Sequence, residues 1–179
     1  MTIQQIVKTW GVSIPDYSGS VYLPDYLMQN YPSKCYYAGY YPKIVPVEYT
    51  HKYLDIESDV LKLVCERMYH AIFKLWVYDD LYFESELLNS ANLSKKRFKR
   101  RKLSKKIETN LIDDAEILKE LLDLSNNEVI DIVLAFEKHH ILMIPSWTSF
   151  FLFVENDSCL TFIRDILNTE GLHFTEADV

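Results

Sequence analysis

Glycine is scarce in this chain: four residues in 179. That works against Gly-rich loops that cradle phosphates, and neither a P-loop nor a G-x-G-x-x-G run occurs. The G-x-S-x-G elbow of the α/β-hydrolases is absent as well. Cysteine is limited to Cys35, Cys65 and Cys159, an odd and widely spaced set. Such a set makes no disulfide framework and fits a reducing compartment. No long apolar run is present. The most apolar stretch, residues 141–154, is broken by Pro145, Ser146, Thr148 and Ser149, and it is too short to span a bilayer. The first 17 residues, MTIQQIVKTWGVSIPDY, lack a charged start followed by a long apolar segment, so no signal peptide is expected. The expectation is a cytoplasmic protein with no membrane partner and no cofactor.

Acidic residues are missing from one place in an otherwise acidic chain. Residues 95–106 hold nine basic side chains among twelve and none of opposite sign: Lys95, Lys96, Arg97, Lys99, Arg100, Arg101, Lys102, Lys105 and Lys106. The run sums to +9, whereas the remaining 167 residues sum to −16. This polarity predicts salt-sensitive contacts with something charged. One reading is phosphate binding, with counterion release making affinity fall steeply as salt rises. Phe98 is the one aromatic residue among the charges that could stack on a base. The other readings are docking of an acidic protein partner and a solvated face that neutralises acidic helices beside it. From residue 107 to 137 there are nine acidic residues against one lysine, Lys119.

Size and composition fit one globular domain over residues 1–179, with 49% hydrophobic and 25% charged residues. Residues 1–54 hold ten of the thirteen tyrosines and five of the six prolines. Prolines at this density predict short strands and loops, with strands best placed at 35–41 and 43–49. From Val60 to Trp76 the apolar residues recur every three or four positions, which predicts a long buried helix capped by Ser58; residues 77–83 either continue it or break it near Asp79-Asp80. Residues 111–138 read as two short helices, the second starting at a capping box formed by Ser125 and Glu128. The last 40 residues predict strands at 141–144 and 149–154, a helix capped by Asp157 or Ser158, a stop at Gly171 and a short strand at 172–174. The expected class is α+β: a helical middle (about 57–138) flanked by a Tyr/Pro-rich strand-and-loop region and a C-terminal strand–strand–helix unit.

Candidate chemistry is sparse. Glu66 and His70 share a helix face. With His139 and His140 they could form an acid–base or metal site, yet their spacing matches no zinc pattern. The structural alternative is a hydrogen-bonded intrahelical pair plus a helix-terminal histidine pair. Cys65 reads as a small core residue and points about 140° away from His70 on a helix. Asp79-Asp80 and Asp113-Asp114 read as surface charge, the latter pair at a helix start. No enzyme is expected. Two interaction classes remain. The first is a protein-binding module, an inhibitor or immunity-type protein that neutralises a basic toxin or nuclease through acidic residues such as Asp113, Asp114, Glu116 and Glu120. The alternative is a nucleic-acid-binding or regulatory protein that uses residues 95–106.

Overall fold

The computed structural model describes residues 1–15, 23–41, 59–85, 109–126, 130–146 and 149–177. Its centre is a six-stranded antiparallel sheet of β1 (Cys35–Gly39), β2 (Leu81–Glu84), β3 (Val133–Phe136), β4 (Ile141–Pro145), β5 (Ser149–Val154) and β6 (His173–Glu176). The spatial order is β2-β3-β4-β5-β1-β6. β3, β4 and β5 pair antiparallel in chain order, with Phe136 opposite Ile141 and Met143 opposite Leu152. β1 inserts between β5 and β6 and pairs antiparallel with both.

Five α-helices lie among the described residues: α1 (Ile3–Thr9), α2 (Leu23–Asn30), α3 (Asp59–Val77), α4 (Ala115–Asn126) and α5 (Leu160–Thr169). They cover both faces of the sheet. Strand side chains alternate between faces, and the buried residues separate accordingly into two clusters. Leu81, Phe83, Leu134, Phe136, Ile141, Met143, Phe150 and Leu152 pack against Val64, Met68 and Ile72 of α3, Leu118 and Leu121 of α4 and Ile163 and Leu167 of α5. Val133, Ala135, Leu142, Ile144, Phe151 and Phe153 pack against Ile3, Ile6 and Val7 of α1 and Leu23 and Leu27 of α2. β3 and β4 are buried at every position, and β5 at every position after Ser149. An antiparallel sheet usually leaves one face to water and reads as alternating apolar and polar residues. This one does not, which explains the unbroken runs ILMI and FFLFV.

The α+β class is as expected, and so are α3 and the strands β1, β4 and β5; of the two readings of residues 77–83, α3 ends at Val77. Gly171 also ends its segment as expected, at φ +68°. A Cβ there would come 2.5 Å from Arg67 Nη1, a second reason for glycine. Several local readings are corrected. The Pro-rich N-terminal region contains two helices. Thr2 caps α1 in a reciprocal capping box with Gln5, and Pro24 sits in the first turn of α2, where its missing N–H costs nothing. The helical middle is interrupted by strands, for β2 follows α3 and β3 stands where a second short helix was expected. Ser125 is therefore the penultimate residue of α4 and starts no helix. Neither Asp157 nor Ser158 caps α5: Cys159 holds its N-cap position without a side-chain bond, and Asn156, accepting from Ser158 N, caps the 3-10 turn Asp157–Cys159 that leads into it. Ser58, Glu128, residues 43–49 and the basic run 95–106 lie outside the described residues.

β1 carries an unusual alkaline liability. Burial pushes the Cys35 thiol up to about 12, and the thiol donates to Tyr31 O at 3.3 Å. Burial likewise raises the Tyr36 and Tyr37 hydroxyls, helped by the charges of Asp157 and Asp25 respectively. A raised folded pKa means that the neutral form is favoured in the folded state. Its contribution is complete below the unfolded value, near 9.0 for Cys35, and is lost as pH rises through about 12. Urea midpoints are therefore expected to fall between pH 9 and pH 12. Cys35→Ala should make that fall shallower. An unchanged slope in the variant would mean that Cys35 does not carry it.

Candidate functional site

A cleft of about 570 Å³ opens between α3 and α4. Its α3 wall is Lys62, Cys65, Glu66, Tyr69 and His70, and its α4 wall is Lys119, Asp123 and Asn126. Steps of three and four place each set along one helix face. Met68, Ile72, Leu122 and Phe150 supply apolar surface beneath, beside Pro145 at the end of β4. These four are buried core residues, so the cleft is floored by the core itself.

Two carboxylates, Glu66 and Asp123, and two lysines, Lys62 and Lys119, line the cleft. Burial raises the Cys65 thiol above its usual range, and Asp123 and then Glu66 raise it further. Tyr69 is raised by burial, then by the charges of Glu116 and Asp123. Lys62 stands 3.5 Å from Asp59, while Lys119 sits exposed on the rim. His70 turns toward the C-terminal end of α5. Its Nδ1 is 3.6 Å from Glu170, a largely buried carboxylate that also pairs with Lys74. Arg67 donates to Glu170 O at 3.3 Å and lies over the Tyr40 ring. These contacts bind α3 to α5 and leave the cleft to α3 and α4.

The acidic residues singled out in the sequence stand around the start of α4. Asp114 Oδ1 accepts from Glu116 N at 2.7 Å, so Asp114 caps the helix. Asp113, Asp114 and Glu116 are exposed, and Glu120 is half-buried one turn further on. Glu116, Glu120 and Asp123 recur at steps of four and three, so they share a helix face that adjoins the cleft through Asp123. The nine basic residues from Lys95 to Lys106 lie outside the described residues.

The four residues considered for an acid–base site do not converge. Glu66 and His70 line the cleft. His139 and His140 sit in the β3–β4 turn, at the far end of β4 from Pro145, about 13 Å away along the strand. They occupy a hairpin turn, so the helix-terminal pair expected from sequence is also corrected. Among the described residues no group of three or more His, Cys, Asp or Glu side chains is placed to hold a metal ion. Cys65 is only half-buried and lines the cleft, whereas a core position was expected.

Sequence reasoning missed what the two turn histidines do. Asp79, expected at the surface, has a side chain with no exposure. It accepts from Lys138 N at 2.8 Å, His139 N at 2.9 Å and the His139 ring at 2.7 Å, and the ring stacks on Phe162 of α5. Its neighbour Asp80 stays at the surface and pairs with Lys138. His140 turns to the other layer, pairing with Glu155 at 2.9 Å and stacking on Trp10 at 5.1 Å. It does so with φ +55°, a conformation that costs a non-glycine residue about 1–2 kcal/mol. The doublet His139-His140 after an apolar run was the available signal, but nothing in it named the two carboxylates.

No protein-family model matches the chain, and no curated protein or solved structure is similar to it.

Asp79 is a buried charge with three donors, so its removal leaves two backbone N–H groups unpaired. Asp79→Ala should cost about 3–5 kcal/mol in urea denaturation, and His139→Ala about 1–2 kcal/mol, because Asp79 keeps its backbone donors. If His139→Ala proves the more damaging, the ring rather than the carboxylate organises the turn.

Proposed function

We propose that this protein is a protein-binding module, most concretely an inhibitor or immunity-type protein that neutralises a toxin or enzyme by electrostatically steered binding. The observation that carries the reading is the acidic start of α4. Asp113 and Asp114, just ahead of α4, and Glu116 in its first turn are exposed together, and the opposite face of the helix, Leu118, Leu121 and Leu122, is fixed in the core. Charges held on a rigid element keep their positions when a partner docks. A basic partner, as nucleic-acid-degrading toxins are, would be drawn to them at long range, and the net charge of −7 favours the same encounter. The class rests on electrostatics and on α4, with no family likeness behind it.

An affinity pull-down at about 50 mM salt, eluted with a salt gradient, tests this. One stoichiometric basic protein is the expected product. The variant D113N/E116Q, which leaves the Asp114 cap intact, should slow its association roughly tenfold at low salt and little at high salt. Release of nucleic acid in place of protein, lost on replacing Arg97, Arg100 and Arg101 by alanine, would transfer the function to the basic run. Recovery of neither would end both readings.

A further inference from the structure

We infer that this protein self-associates through the outer edge of β6, two copies pairing their β6 strands antiparallel about Thr175 so that one sheet runs through both. The inference is independent of the proposed function. The two edges of the sheet differ. β2 is closed on its outer side by the segment ahead of α4: Tyr82 bridges Leu111, Ile112 N donates to Leu81 O at 2.8 Å and Phe83 N to Asn110 O at 2.9 Å. β6 has β1 on one side and, among the described residues, no strand on the other. Ala177 N donates to Cys35 O at 3.0 Å, which continues the register of Tyr37 with Thr175 and Gly39 with His173. Backbone groups alternate sides along a strand, so His173, Thr175 and Ala177 turn theirs toward β1, and Phe174 and Glu176 turn theirs outward. An outward row of N–H and C=O groups pairs readily with another strand, and HFTE contains neither proline nor lysine to blunt the edge.

Register and charge select a second copy as the occupant. Pairing centred on Thr175 sets Phe174 opposite Glu176 of the partner subunit, with backbone bonds exchanged, and sets Thr175 opposite its own counterpart, a favourable cross-strand pair. Arg164 of α5 is exposed, with its guanidinium 5.7 Å from the centre of the Phe174 ring. Opposed residues hold their Cβ atoms about 5 Å apart, so Glu176 of the partner subunit comes within reach of Arg164, and the two-fold axis repeats the pair. Centring on Glu176 would instead set two carboxylates against each other. The edge is only four residues long, so the dimer is weak and concentration-dependent, with a Kd on the order of 100 µM.

Cross-linking reads the register directly. Thr175 would face its counterpart in a non-hydrogen-bonded pair, with Cα atoms about 4.5 Å apart and inside disulfide range. Mild oxidation of Thr175→Cys at about 200 µM protein should therefore give a covalent dimer. His173→Cys, which would face Ala177 of the partner subunit and lie beyond disulfide reach of its own counterpart, should not, and neither should the parent chain. Sedimentation velocity supplies a second measurement. Between about 10 and 500 µM, at about 150 mM salt to screen repulsion between chains of net charge −7, the parent should pass from monomer to dimer. R164E and E176R, both at exposed positions and checked for folding by circular dichroism, should each weaken the dimer at least roughly tenfold. The double variant R164E/E176R should regain it. A parent chain that stays monomeric at the highest concentration overturns the inference. So does a Thr175→Cys variant that cross-links no better than His173→Cys, or a double variant as weak as the singles.

Discussion

The structure depends on a sheet whose middle strands have no face for water. Phe136, Phe150 and Phe153 are fully buried, yet Phe150 points to one helical layer and Phe153 to the other. Neither layer is optional under that constraint. Removing α1 and α2 would leave Val133, Leu142, Ile144, Phe151 and Phe153 exposed, and removing α3, α4 and α5 would uncover the larger cluster. Apolar burial scales with area, so both faces contribute to folding, and the helices are held mainly by what they cover.

Polar contacts then fix the layers in register. The β3–β4 turn is a place where both meet. His139 with Asp79 ties it to the end of α3 and, through Phe162, to α5. His140 with Glu155 and Trp10 ties it to the end of α1. The left-handed His140 backbone is offset by these two contacts and by the bond from Glu155 N to His140 O. At the other end of the sheet a cleft opens between α3 and α4 over the core.

How much was legible follows from the same constraint. β4 and β5 stood out because β-branched and aromatic runs flanked Pro145. β3 was lost because a strand buried on both faces has no period of two. In the sequence, Val129, Ile132, Val133 and Phe136 fit a helical spacing equally well. α1 and α2 were hidden by proline density, although a proline in the first turn of a helix is favourable. Local charge was readable: Asp113 and Asp114 do stand at a helix start. Partners distant in sequence were not. Nothing marked Asp79 as buried, paired His70 with Glu170 across 100 residues, or placed Asp123 beside Cys65. Such pairs exist only once the sheet has set the helices side by side.

Both faces of the sheet are core. Urea denaturation of Phe150→Ala and Phe153→Ala tests it most directly, because the two rings lie on opposite faces of one strand. Two-sided burial predicts that each variant loses about 3–5 kcal/mol. A loss below about 1 kcal/mol for Phe153→Ala, in the range of an exposed site, would show that the layer of α1 and α2 does not seal its face and would contradict the account.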